Sequence, residues 1–175
     1  LGKHVIFSTF TNEMVRLRDL QAGLKLVPPA PDFYVNNWVV PGDWGEYLAQ
    51  QPLIGDVGGH QEILTFDFAC ENWGQCQTPM CYVDYLKERW ADALRRSLHV
   101  VGFNGWALWS WHYDNPQGRP FVVGTPNEVN AYALGQLVED PDLSTDVIWE
   151  RWGQHVTPDA VTGQRLAALL RRTQR

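Results

Sequence analysis

The sequence predicts an α/β protein built as a partial (β/α)8 TIM barrel, with about four strand–helix units followed by extra C-terminal helices. Apolar runs with β-branched and aromatic residues, typical of parallel strands buried on both faces, alternate with segments of helical period. Such alternation favours parallel strands joined by crossover helices. A complete barrel takes about 250 residues, so this chain of 175 residues is long enough for half of one. The predicted strands are residues 4–10, 33–40, 63–68 and 100–109.

Helices are predicted between and after these strands. The clearest covers residues 80–98, where Tyr82, Leu86 and Trp90 form one apolar stripe and charged residues occupy the other face. Ser144 is placed to cap the amino end of a later helix. The other predicted helices are residues 13–23, 44–50, 127–138, 145–152 and 158–172.

An open, doubly wound sheet is the competing architecture. It is disfavoured because no glycine-rich phosphate loop of the G-x-G-x-x-G kind follows any predicted strand. We therefore expect a single domain over residues 1–175, with the half-barrel in residues 1–125 and a helical segment in residues 126–175 packing on it.

Charge and hydropathy exclude several classes of partner. The net charge is -6 and the pI is near 5.3, so no basic face is expected for nucleic acid. No apolar stretch approaches the roughly 20 residues of a membrane span, so no membrane is expected. Residues 1–30 lack the pattern of a signal peptide. The compartment stays open, with the cytoplasm slightly favoured.

The cysteines and histidines do not form a known ligand pattern. Cys70, Cys76 and Cys81 are spaced C-x5-C-x4-C, which matches neither paired zinc ligands nor an even disulfide framework. Free, buried thiols are expected, and one disulfide stays open as an alternative if the protein is exported. No H-E-x-x-H pattern is present, so no metal or other cofactor is expected.

Polar and aromatic side chains follow the predicted strands, where the active sites of β/α barrels are built. Asp43 follows the second strand and Glu71 the third. Carboxylates can move protons or attack an anomeric carbon, amides hold hydroxyls, and indoles stack on sugar rings. An alternative role for Asp43 is to cap the amino end of the helix predicted at residues 44–50. The candidate substrate-binding residues are Trp44, Asn72, Trp73, Gln75, Trp109, Trp111, His112 and Asp114.

These residues resemble the catalytic segment of the family 67 α-glucuronidases, which remove glucuronic acid branches from xylan. The resemblance implies that Asp43 and Glu71 are the general bases of an inverting hydrolysis. The matching blocks are Pro41-Gly-Asp43-Trp44, Pro52-Leu-Ile-Gly55, Leu64-x-Phe66-x-x-Ala69-x-Glu71-x-x-Gly74-Gln75, Cys81-Tyr82, Asn130-x-Tyr132-x-x-Gly135-x-Leu137, Asp140-Pro141-x-Leu143-Ser144 and Ile148-x-Glu150-x-Trp152.

The chain also departs from that family. The family's general acid lies on an earlier strand that this chain does not contain, so the resemblance implies the C-terminal half of a catalytic barrel. An arginine that faces the uronate in the family is not found at residues 7–10. A neutral or differently decorated sugar therefore stays open beside glucuronate.

The sequence thus predicts a glycoside hydrolase-like fragment that acts on an oligosaccharide or glycoside. One alternative is a retaining glycosidase with Glu71 as nucleophile, and another is a carbohydrate-binding half-barrel without catalysis. Because a half-barrel exposes two sheet edges, a homodimer or a complementary half-barrel chain is expected as partner.

Overall fold

The computed structural model describes residues 5–9, 17–39, 53–68, 80–106 and 122–174, which form a mixed α/β structure. The strands are β1 (Val5–Thr9), β2 (Phe33–Trp38), β3 (Gln61–Asp67) and β4 (Val100–Trp106). The α-helices are α1 (Leu17–Leu24), α2 (Val83–Arg96), α3 (Glu128–Glu139), α4 (Thr145–Val156) and α5 (Ala160–Arg171), and a short 3-10 helix covers Arg172–Gln174.

The strands lie in one sheet in the order β1-β2-β3-β4. β1 pairs with β2 in parallel, and β2 pairs with β3 in parallel with Trp38 opposite Thr65. β3 and β4 begin side by side, because the amide of Glu62 donates to the carbonyl of His99 at 2.8 Å. The predicted α/β class with parallel strands is confirmed, and its assignment to a barrel stays a prediction.

The predicted elements agree with the observed ones to within a few residues at most ends. α2 begins at Val83 rather than at residue 80, and side chains elsewhere bind the backbone amides of the three residues before it, Met80, Cys81 and Tyr82. Ser144 does cap α4, accepting from the amide of Val147. The predicted helix 44–50 lies outside the described residues.

The chain divides into two compact units, each described here by itself. The first unit comprises residues 1–41, 46–66 and 91–104. In it one face of the sheet packs against α1 and the segment after residue 52, with Val35 and Leu53 fully buried. Side chains alternate between the two faces along a strand. Val35 is opposite Glu62 in the register, and Leu64 lies two residues after Glu62, so Val35 and Leu64 lie on the same face of the sheet.

The second unit comprises residues 42–45, 67–90 and 105–175. It contains α3, α4 and α5, and its buried apolar side chains include Leu134, Ile148 and Trp152. α4 and α5 approach closely at Gly153 and Gly163, which have no side chains. A Cβ on Gly153 would lie only 2.8 Å from the carbonyl oxygen of Gly163. The single domain predicted over residues 1–175, with a half-barrel in residues 1–125 and a helical segment in residues 126–175, stays a prediction.

Among the helices that the structure describes, none combines the length and the apolar character needed to cross a bilayer.

Candidate functional site

The predicted catalytic residues, Asp43 and Glu71, lie outside the described residues. The same holds for every predicted substrate-binding residue: Trp44, Asn72, Trp73, Gln75, Trp109, Trp111, His112 and Asp114. The structure does describe the strands that these residues follow, β2, β3 and β4.

β2 and β3, the strands that precede the two acids, are parallel neighbours. The backbone amide of Val39 donates to the carbonyl of Thr65 at 2.9 Å, which extends the pairing just past the end of β2. Asp43 lies five residues after Trp38, and Glu71 lies six residues after Thr65, the partner of Trp38 in the register. Neighbouring strands are about 4.8 Å apart. β2 and β3 therefore end at the same edge of the sheet, and Asp43 and Glu71 follow these strand ends at nearly equal distances along the chain.

A polar pair ties these two strands together shortly before that edge. The hydroxyl of Thr65 donates to the side-chain carbonyl oxygen of Asn36. Asn36 is 7% exposed and Thr65 is fully buried, so this bond is shielded from water. Both residues lie on the sheet face opposite Val35 and Leu64. In a barrel, that face would be the interior.

Glu62, near the start of β3, is a buried carboxylate that the sequence did not single out. It accepts from the side-chain amide of Asn37 at 2.6 Å, from the backbone amide of Gly55 at 3.1 Å, and from the hydroxyl of Ser97. Burial raises its pKa above the ordinary 4.5, although the bonds from Ser97, Gly55 and Asn37 and the nearby charge of His99 act in the opposite direction.

The position of Glu62 indicates a structural role. It lies at the amino end of β3, away from the edge where barrel enzymes place their active sites. Its bonds hold the turn at Gly55 and the end of α2 against the sheet. Gly55 itself has φ +85, and a Cβ there would collide with the backbone carbonyl of Arg96. The sequence signal was weak, because Glu62 directly precedes the apolar run predicted to begin at residue 63.

In the second unit, two buried asparagines bind the backbone of residues 80–82. The side-chain oxygen of Asn127 accepts from the amide of Met80 at 2.7 Å. Asn130 binds twice, accepting from the amide of Tyr82 at 2.9 Å and donating to the carbonyl of Met80 at 2.9 Å. We call Asn127, Asn130 and the bound backbone of residues 80–82 the asparagine clamp. Asn130 belongs to a block that carries the family resemblance, but its bonding could not be read from the sequence.

Cys81 lies inside the clamp as a free, buried thiol, which confirms the expectation for this cysteine. Its amide donates to the hydroxyl of Thr173 at 3.0 Å, and its sulfur lies 3.4 Å from the carbonyl of Pro126. Burial raises the pKa of the thiol to about 11, so it is protonated at neutral pH and a poor nucleophile. Cys70 and Cys76 lie outside the described residues.

The described part of the chain contains no group of three or more His, Cys, Asp or Glu residues able to hold a metal ion. A groove of about 580 Å³ lies on the surface of the second unit, lined in part by Asp84, Glu150 and Arg171. Arg171 pairs with Asp84 at 3.7 Å and also with Asp146. Asp84 in the groove and Asp146 beside it are thus both ion-paired with Arg171, which indicates a structural role for these charges.

No protein-family model matches the chain, and no curated protein sequence matches it either.

Proposed function

We propose that the chain is a glycoside hydrolase-like part of a β/α barrel, similar to the α-glucuronidases, in which Asp43 and Glu71 form a carboxylate pair. The pair holds and deprotonates a water that attacks an anomeric carbon with inversion. A general acid from outside this chain protonates the leaving oxygen.

The observation that carries this proposal is the parallel, in-register pairing of β2 with β3. It makes the segments with Asp43 and Glu71 follow adjacent strands at one edge of the sheet. Active sites of β/α proteins are built at that edge. An antiparallel pairing would have sent the two acids to opposite ends of the sheet.

Contacts between the blocks that carry the family resemblance add support. The block Cys81-Tyr82 is bonded to the block that begins at Asn130. Lys87, on α2, donates to the carbonyl of Leu143 at 2.7 Å, in the block that ends at Ser144. Two of the blocks are therefore bonded to each other, and a third is bonded to α2, all within the second unit.

Two alternatives remain as proposals of lower rank. Glu71 could be the nucleophile of a retaining enzyme, which requires a carboxyl pair about 5–5.5 Å apart rather than the roughly 6.5–9.5 Å of inverting enzymes. The chain could also bind carbohydrate without cleaving it, because the resemblance assigns the role of general acid to none of its residues.

Glycosyl fluorides test the proposal without the missing acid, because fluoride leaves without needing a proton. We expect the chain to hydrolyse at least one fluoride from a panel of xylosyl, glucosyl and glucuronosyl fluorides, and NMR of the first-formed sugar to show inversion. Glu71→Gln and Asp43→Asn remove the reaction, whereas Asp56→Asn, an exposed acid of the first unit, is the matched control and keeps it.

Each other outcome has a distinct meaning. A retained configuration contradicts the inverting scheme and favours Glu71 as nucleophile. Oligosaccharide binding seen by tryptophan fluorescence without any fluoride hydrolysis favours the binding module. Neither binding nor hydrolysis rejects every carbohydrate function.

The proposed partner is a second copy or a complementary half-barrel. β1 and β4 are the outer strands of the sheet order, and on β4 the side chains of Val101 and Phe103 are 53% and 38% exposed. Exposed apolar side chains on an outer strand favour association. Sedimentation at micromolar concentration is expected to show a dimer, and a strict monomer would contradict this part of the proposal.

A further inference from the structure

We propose that residues 25–31 are a docking segment for a partner domain that binds polyproline helices in an aromatic-lined groove with acidic residues at one end. The segment connects α1 to β2 and reads Lys25-Leu-Val-Pro28-Pro29-Ala-Pro31. Its Pro-x-x-Pro spacing is that of extended proline ligands, which dock in such grooves. The proposal does not depend on the carbohydrate chemistry proposed above, because it uses a different part of the first unit.

The covalent structure of the docking segment favours a polyproline helix. The proline rings hold φ near about −65° at Pro28, Pro29 and Pro31. A residue that precedes proline is restricted to extended backbone, which applies to Val27, Pro28 and Ala30. Because a polyproline helix has about three residues per turn, Pro28 and Pro31 lie on the same edge of it.

The docking segment is open to a partner. Pro28, Pro29 and Pro31 are exposed, and the side chains of Leu26 and Val27 before them are 84% and 40% exposed. The backbone carbonyls of residues 27–29 accept no hydrogen bond from the parts of the chain that the structure describes. These carbonyls are therefore free to accept from indole or phenol groups in a partner's groove.

Both ends of the docking segment are fixed by hydrogen bonds. At the amino end, the amide of Val27 donates to the carbonyl of Leu24 at 3.1 Å, and Nε2 of the buried His60 donates to the same carbonyl at 3.2 Å. At the other end, the amide of Phe33 donates to the carbonyl of Ala30 at 3.1 Å, which turns the chain into β2. A segment that is already held in place loses little conformational entropy when a partner binds.

Charges of opposite sign lie at the two ends of the docking segment. Lys25 is exposed and forms no ion pair with the described residues. Acidic residues at one end of the partner's groove would attract its ammonium group. Asp32, also exposed, follows Pro31 and places a negative charge at the opposite end. The two charges therefore fix the direction in which the segment lies in the groove.

The docking segment lies at the amino end of β2, which begins at Phe33. Active sites of β/α proteins are built at the other edge of the sheet, beyond the carboxyl ends of the strands. A bound partner therefore leaves that edge open, and docking can be measured separately from any sugar chemistry.

NMR titration of isotope-labelled SH3 domains with the unlabelled full chain tests the proposal, because these domains bind proline segments in an aromatic groove. The panel contains domains with acidic residues beside the groove and domains without them. The chain is expected to shift the groove signals of at least one acidic domain. Pro28→Ala and Pro31→Ala are each expected to weaken this binding about tenfold. Pro158→Ala changes an exposed proline of the second unit and is the matched control that leaves binding unchanged.

Lys25→Glu gives a second test that leaves every proline in place. It reverses one exposed charge, so it is expected to weaken binding to the acidic domain about fivefold, with a smaller effect at high salt. Binding by no domain of the panel, or native binding by both Pro28→Ala and Pro31→Ala, would overturn the docking segment. Equal binding to domains with and without acidic residues, unchanged by Lys25→Glu, would overturn the stated class of partner.

Discussion

Each unit of the molecule fixes a stretch of backbone with a buried polar side chain, but the first unit uses a carboxylate and the second uses amides. Glu62 accepts from Gly55, Asn37 and Ser97, and its burial raises its pKa. Asn130 makes two bonds to residues 80–82 and carries no charge. Because only the carboxylate titrates, the bonds that hold the backbone depend on pH in the first unit and not in the second.

The largest expected effect is that of Glu62→Ala. It leaves three donors without their acceptor and opens a cavity in a buried site, so we expect a loss of about 3–5 kcal/mol in the free energy of unfolding. Urea denaturation followed by circular dichroism measures this loss. Asn130→Ala removes two bonds and is expected to cost about 2–4 kcal/mol. A loss from Glu62→Ala below 1 kcal/mol would show that Glu62 does not hold the turn at Gly55.

The next expected effect is the pH dependence that distinguishes the two units. A raised pKa means that folded Glu62 binds a proton more readily than unfolded Glu62. Its contribution to stability is therefore full below the ordinary pKa of 4.5 and is lost as pH rises through the folded pKa. Urea titrations from pH 4 to 8 are expected to show this loss as the difference between native protein and Glu62→Gln. The loss in free energy of unfolding caused by Asn130→Ala should stay constant over the same pH range. A loss that changes with pH would contradict the proposed difference between the two units.

The smallest expected effect is that of Glu62→Gln near neutral pH. The glutamine oxygen can accept from Gly55 and Ser97. Its amide group can donate to the side-chain oxygen of Asn37, which has no partner within the described ranges, once the Asn37 amide has turned over to present that oxygen. Because no charge is buried, we expect a gain of about 1 kcal/mol at pH 7. A loss larger than that of Glu62→Ala would contradict a mainly structural role for this carboxylate.

The sequence predicted the elements well because their signals are local. Near-continuous apolar runs located β2 and β3, and Ser144 located the start of α4. It did not predict the partners of Glu62 or of Asn130, which lie 35 residues away at Ser97 and 48 residues away at Tyr82. Such bonds depend on the tertiary fold, and no local pattern encodes them. The sequence did predict the parallel strands β2 and β3, which precede Asp43 and Glu71 in the chain.

The two acids can be tested as one functional unit by measuring fluoride hydrolysis in a double-mutant cycle of Asp43→Asn and Glu71→Gln. If both act on one water, the double variant loses no more activity than the more damaged single variant. Losses that multiply in the double variant, or a single variant that keeps the native rate, would contradict the shared carboxylate pair.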